Sequence, residues 1–221
     1  MQVGNANTST GITVGCQPIE EVKQFTYLGS VLSNDGNTEA DVNCRIGKAS
    51  GVFQRLRQVW STTTINTKTK IRLYNTIVLP TAIYASETWK ITMRIARKLN
   101  VFHQRCLRRI LGITYLDHIT NDEILRRCNS RKLQDIVTER RVRFAGHILR
   151  LPEQRHSRTA IKWTPLEGKR KKGRPVKTWR ATFKEDLQDI GTKWEEVESV
   201  ASNRERWRTL VAQCAKSHRR N

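Results

Sequence analysis

Enzymes that move phosphoryl groups on nucleic acids use two or more carboxylates converging on a metal ion, so the acidic residues are the first candidates for chemistry. The adjacent acidic pairs are Glu20-Glu21, Asp122-Glu123, Glu185-Asp186 and Glu195-Glu196. The first falls in a hairpin loop, the second and fourth serve helix starts, and the third lies on a helix. None sits on an apolar strand, so all four read as structural. His103, His118, His147, His156 and His218 form no H-E-x-x-H and have no nucleophile at motif spacing. His103 and Cys106 have the spacing of a ligand pair, but Cys106 falls in an apolar helical seam, which predicts core packing. Cys16, Cys44, Cys106, Cys128 and Cys214 are odd in number, widely spaced and without a C-x-x-C. They read as reduced intracellular thiols rather than a disulfide framework or zinc site. The glycines form neither a P-loop nor a dinucleotide fingerprint, and no cofactor is expected in this chain.

The remaining chemistry is cationic. The run Gly168-Lys-Arg-Lys-Lys-Gly-Arg-Pro175 sets Lys169, Arg170, Lys171 and Lys172 in a row, with Arg174 close behind, a segment that attracts phosphates in a strongly salt-dependent way. Its Gly-Arg-Pro ending resembles the core of an AT-hook, whose extended Arg enters a narrow minor groove. A nuclear-import signal and a solvated loop are the competing readings. On helical stretches, Arg105, Arg108, Arg109, Arg140, Arg141, Arg143, His147 and Arg150 are candidate phosphate contacts. Trp163, Trp179, Trp194 and Trp207 lie among these charges, where stacking on bases is chemically available. Trp179 with Phe183 and Leu187, and Trp207 with Leu210 or Val211, nevertheless fit helical core stripes.

The overall balance agrees. The 221 residues carry 41 Lys plus Arg against 20 Asp plus Glu, a net charge of +21, with a pI near 10.5. Residues 1–90 hold nine and six of these, net +3, and residues 91–221 hold 32 and 14, net +18, which puts the polyanion-binding face in the second part. An apolar content of 37% and a mean hydropathy of -0.61 lie at the polar end of globular composition and predict a folded chain. The first twenty residues have no signal-peptide pattern, and the longest apolar stretch, 77–85, is broken by Pro80 and Thr81, so no membrane span is expected.

The elements that must carry these residues are mostly helices. Residues 12–14 and 22–32 alternate and read as a strand pair around a loop at 15–21, stopped by Asn34-Asp35-Gly36. Thr38 with Asp41 opens a helix whose stripe runs Val42, Ile46, Ala49, Phe53, Leu56, Trp60, with Arg45, Lys48, Arg55 and Arg57 on the other face. Thr67 caps a second helix that Pro80 kinks or ends. Thr92 opens a third, with Ile95, Leu99, Phe102, Cys106 and Ile110 as its buried seam, Arg94, Arg97, Lys98, Arg105, Arg108 and Arg109 on its solvent side, and Gly112 as its stop. Capping boxes at Thr120/Glu123, Thr192/Glu195 and Ser202/Glu205 mark further starts. A long helix runs from Ser130 through Leu133, Ile136, Val137, Phe144, Ile148 and Leu151 to Pro152, and another covers 179–190 before Gly191.

The expected fold is therefore mainly α: a short N-terminal β-hairpin, a helical bundle and a smaller basic helical unit. The divisions are a disordered start at 1–10, the hairpin at 11–36, the bundle at 37–151, a basic linker at 152–175 and the small unit at 176–221.

Six blocks carry a resemblance. Phe25-Thr-Tyr-Leu-Gly-Ser30, Arg45-Ile46, Tyr84-Ala-Ser-Glu-Thr-Trp89, Arg105-Cys-Leu-Arg-Arg-Ile-Leu-Gly112, Gly146-His147 with Arg150, and Gly173-Arg-Pro175 with Trp179 occur in this order. Between about residues 11 and 212 the chain resembles the C-terminal region of non-LTR (LINE-type) retrotransposon endonuclease-reverse transcriptases of the RTE-like kind. The resemblance implies that Tyr27, Leu28 and Gly29 form a primer-grip hairpin at the end of the palm. It implies that the helix from 42 to 60 opens a thumb-like bundle, and that the basic tail contacts RNA, DNA or their hybrid in the nucleus or between nucleus and cytoplasm. The full-length family enzyme uses Mg²⁺ on paired palm aspartates and carries an endonuclease domain. Neither is present here, nor is the Cys/His zinc knuckle of some relatives. The expectation is thus a nucleic-acid-binding fragment without polymerase activity of its own, no membrane and no small-molecule substrate. The alternative is a free-standing nuclear DNA-binding or architectural protein derived from such an element.

Overall fold

The protein is described from a computed structural model, which covers residues 13–163 and 177–217. It is mainly α and divides into two compact units, residues 1–85 and 86–221.

The first unit begins with two tight hairpins rather than one long strand pair. Strand β1 (Thr13–Val14) pairs with β2 (Gln17–Pro18), and β3 (Gln24–Tyr27) pairs with β4 (Ser30–Ser33), both antiparallel. Each closes through a two-residue turn with both φ angles positive: Gly15 and Cys16 at 54° and 65°, Leu28 and Gly29 at 49° and 80°. Such turns match the right-handed twist of the strands they join, which is why the chain closes twice within short reach. Helix α1 (Glu39–Arg55) and the short α2 (Arg57–Ser61) follow. The stripe that reads as one helix to Trp60 is thus interrupted at Leu56. Phe53 stacks on Trp60 with ring centroids 4.9 Å apart, and the Trp60 indole donates to the Phe53 carbonyl at 2.7 Å. Helix α3 (Thr67–Leu73) is capped by Asn66 rather than Thr67, its Oδ1 accepting from the Thr69 amide at 2.8 Å. Pro80 has no N–H for the preceding turn, and the chain widens into a π turn at Tyr74–Val78 before α4 (Leu79–Ala82). Val42, Ala49, Trp60, Tyr74, Val78, Ala82 and Ile83 form the buried interior of this unit.

In the second unit, α5 (Met93–Leu111) starts and stops as its sequence predicts. The Thr92 side chain accepts from the Ile95 amide at 3.3 Å, and Gly112 takes the left-handed conformation at φ 69°. Helix α6 (Asn121–Arg127) likewise uses Thr120, which accepts from the Glu123 amide. Helix α7 (Leu133–Leu149) starts three residues later than expected, because the Ser130 hydroxyl instead meets His103 Nε2 at 3.1 Å. Then come α8 (His156–Lys162), α9 (Trp179–Asp189), α10 (Val197–Ser202) and α11 (Arg204–Ser217). The boxes expected at Thr192 and Ser202 do not form. Thr192 is buried and the next helical turn begins after Lys193, while Asn203 Oδ1 caps α11 by accepting from Glu205 and Arg206. Ser202 Oγ turns back to the Glu198 carbonyl.

Helix α7 is the hub of this unit. Its Val142, Ala145, Ile148 and Leu149 share one core with Ile161, Phe183, Leu187, Val197, Val200, Trp207 and Val211. The helix expected to close the first bundle therefore packs with the elements that follow the basic segment, and the chain divides at 85/86 rather than between 152 and 175. Gly146 makes this packing possible. The Trp207 indole lies so close to its backbone that an added Cβ would meet Nε1 at 2.0 Å, and that nitrogen donates to the Val142 carbonyl. Phe144, assigned to the buried stripe by periodicity, is 37% exposed.

Candidate nucleic-acid interface

Helix α5 carries Arg94, Arg97, Lys98, Arg105, Arg108 and Arg109 and no carboxylate. At 3.6 residues per turn these six fall within an arc of about 120°, while Ile95, Leu99, Phe102, His103, Cys106, Leu107 and Ile110 fill the other side as core. From Arg94 to Arg109 the stripe runs about 22 Å, the rise of six or seven base pairs. The side chains of Arg97, Arg105 and Arg109 are exposed and hold no hydrogen bond or ion pair among the described residues. Arg108 is half-buried: its Nη2 donates to the Ile119 carbonyl at 2.6 Å and to Asn121 Oδ1 at 3.0 Å. The α5 core is chemically inert. Burial takes His103 down to about 4 and Cys106 up to about 12, so neither is charged near neutral pH.

The candidates on α7 separate by their partners. Arg141 is not an interface residue. It is 1% exposed, its Nε donates to Asp186 Oδ2 at 2.6 Å and its Nη2 to Oδ1 at 3.2 Å, while Nη1 donates to the Trp89 carbonyl at 3.1 Å. Burial pushes the Asp186 carboxyl up, and the hydrogen bonds from Arg141 pull it back. Arg140 is half-buried with Glu87 3.7 Å away. Arg143 is exposed but paired with Glu139 at 2.6 Å. His147 is exposed. Arg150 donates to the Ala201 carbonyl at 3.1 Å, and its pKa is lowered by partial burial and by the charges of Arg204 and Arg208. Sequence reasoning missed those two arginines, although their i, i+4 spacing behind the Asn203 cap places them on one face of α11. Lys169, Arg170, Lys171, Lys172 and Arg174 lie outside the described residues.

In the first unit, the structure gathers three of the resemblance blocks. Arg45, expected on a solvent face, is buried; its Nη2 donates to the Gly29 carbonyl at 2.6 Å, and its guanidinium lies 4.1 Å from the Tyr84 ring centroid. Tyr84 Oη donates to the Leu28 carbonyl at 3.3 Å, and Asp41 Oδ1 accepts from the Val31 amide at 2.9 Å. Leu28 in a left-handed conformation is costly for a branched side chain, and these donors hold the turn that demands it. The hairpin tip Tyr27-Leu28-Gly29 is thereby fixed to α1, with Tyr27 and Leu28 58% and 75% exposed.

The tryptophans divide similarly. Trp207 is core, and Trp179 is half-buried with its Nε1 donating to the Glu87 carbonyl at 2.8 Å. Trp194 is covered by Arg180 and Lys184 at 5.3 and 5.2 Å, whereas Trp163 is 64% exposed. Among the described residues no three His, Cys, Asp or Glu side chains come together to hold a metal ion. Among them, too, no helix is long and apolar enough to cross a membrane.

No protein-family profile matches the chain, and no solved structure matches it. The chain is 23% identical over 205 residues, 87% of its own length and 71% of the relative's, to an uncharacterized transposon-derived protein of Caenorhabditis elegans, a likeness that fits a transposon origin.

Proposed function

We propose that this chain is the nucleic-acid-holding, thumb-like part of a retrotransposon RNA-directed DNA polymerase, gripping template and primer by electrostatics and leaving the chemistry to catalytic carboxylates elsewhere. The observation that carries this is the face of α5, six cations and no acid within one arc. Two groups of cations on one face, Arg94, Arg97 and Lys98 and then Arg105, Arg108 and Arg109, spread over about 22 Å suit a phosphate backbone, which is read by position rather than by base. The similarity to a transposon-derived protein supports the element origin. The reverse-transcriptase part rests on the six ordered sequence blocks, and a nuclear site of action follows from the same reading.

The test is a salt titration of the full chain on duplex DNA, an RNA–DNA hybrid and single-stranded RNA. Changing Arg97, Arg105 and Arg109 together to serine is expected to reduce the log–log salt slope by about 2.7 on duplex DNA and about 2.1 on single strands, at 0.9 and 0.7 for each phosphate released. A second variant neutralising Lys169, Arg170, Lys171, Lys172 and Arg174 measures the basic segment separately. An unchanged slope in the triple variant removes α5 from the interface, and the absence of binding to any of the three ligands removes the function.

A further inference from the structure

Directly after α5 the chain forms a short loop that presents two of the most exposed apolar side chains among the described residues. Tyr115 is 82% and Leu116 66% exposed, on a single helical turn at Tyr115–Asp117. This loop is tightly held. Asp117 Oδ2 accepts from the Thr114 amide at 2.6 Å and from its hydroxyl at 2.9 Å, closing a reciprocal capping box. His118 takes a left-handed conformation at φ 49° and returns its N–H to the Tyr115 carbonyl at 3.3 Å. At the far end Arg108 grips Ile119 and Asn121, and Gln104 Nε2 donates to the Asn121 carbonyl at 3.2 Å. Two side chains of α5 therefore clamp the loop beside the end of the helix that bears Arg105 and Arg109.

Folding gains nothing from an aromatic ring left in water, and ordering the loop around it costs chain entropy. A rigid loop displaying such a ring is preorganised for a partner, because the ordering cost is already met before binding. The neighbouring charge selects that partner. The adjoining end of α5 bears Arg105 and Arg109, both exposed, and no acid, so the ligand must combine negative charge with a flat apolar face. An unpaired nucleotide does so: its phosphate answers the arginines and its base has a π-face open for stacking, whereas bases inside a duplex are already stacked.

We propose that Tyr115, flanked by Leu116, is a stacking platform for an unpaired base of the nucleic acid held along α5. This rests on the reading of α5 as the nucleic-acid face. It predicts a preference for single strands or for duplexes with a single-stranded overhang over blunt duplex.

The experiment measures binding of the full chain, and of its Tyr115→Ala and Tyr115→Phe variants, to a single-stranded oligonucleotide, a blunt duplex and a duplex with an overhang. The unpaired positions carry 2-aminopurine, whose fluorescence reports stacking. Tyr115→Ala is expected to weaken single-strand and overhang binding about 5- to 100-fold and to abolish the 2-aminopurine response, while Tyr115→Phe keeps both and blunt-duplex affinity stays within about twofold. Equal losses on all three ligands would mean that Tyr115 supports the loop rather than a base, overturning the platform. Unchanged affinities would also overturn it, leave the reading of α5 intact and point to a protein partner for the loop. A wild-type chain that binds none of the ligands would take down both.

Discussion

Replacing Arg141 by methionine removes a guanidinium that is 1% exposed and joins Asp186 through two hydrogen bonds, at 2.6 and 3.2 Å, and the Trp89 carbonyl at 3.1 Å. The methionine fills much of the volume, so the loss is mainly electrostatic: a carboxylate stays in the interior without its counter-ion. Breaking a buried pair in this way costs about 3–5 kcal/mol, a large part of the 5–15 kcal/mol that typically holds a domain together. Adding Asp186→Leu removes the orphaned charge and is expected to bring stability back to within about 2 kcal/mol of the wild type, the remainder being the lost hydrogen bond from Arg141 to the Trp89 carbonyl. Urea unfolding of the wild type, both single variants and the double variant, followed by tryptophan fluorescence and circular dichroism, closes the double-mutant cycle. Under conditions where Arg141→Met is still folded, its salt slope for nucleic acid should equal the wild type's, since a group buried against Asp186 displaces no counterion. A wild-type unfolding midpoint in Arg141→Met, or a slope lower by about one, would refute the assignment of Arg141 to the core.

Gly146→Ala is expected to destabilise the second unit by about 2–4 kcal/mol, because its Cβ would stand 2.0 Å from Trp207 Nε1 and the indole must move and lose Val142; urea unfolding and the near-ultraviolet dichroism of the displaced indole check this. His103 makes stability depend on pH. Unfolded, it takes up a proton near 6.5, but buried it does so only at about 4, so its contribution is complete above 6.5 and is lost as pH falls towards 4, by roughly 3 kcal/mol in all. His103→Gln should flatten this window when unfolding free energies are compared at intervals between pH 7 and 4, and an identical slope in the variant would contradict the burial argument.

Helix α5 was legible almost completely. Its apolar residues recur every three or four positions, Thr92 and Gly112 bracket it, and its arginines occupy the remaining arc. The hairpin was legible as strand but not in its pairing, because two left-handed turns rather than one long loop set the register. Cap positions failed where two candidates stood side by side: Ser202 and Asn203 are chemically similar, and the packing of α10 against α7 and α11 decides which one faces the open amides.

The arginines mark the limit most clearly. Arg105, Arg109 and Arg141 all sit on helices in basic surroundings. Asp186 lies 45 positions from Arg141, and Gly29 lies 16 positions from Arg45, so only the assembled chain converts those two cations into core ties. The sequence by itself determined helix content, the seam of α5 and the positive charge of residues 91–221, since periodicity, capping and net charge depend on neighbours or on sums. Tertiary structure alone decided which cations stay in water. Burial and ion pairing are settled by partners distant in the chain, and a guanidinium is available to a phosphate only where no such partner has claimed it.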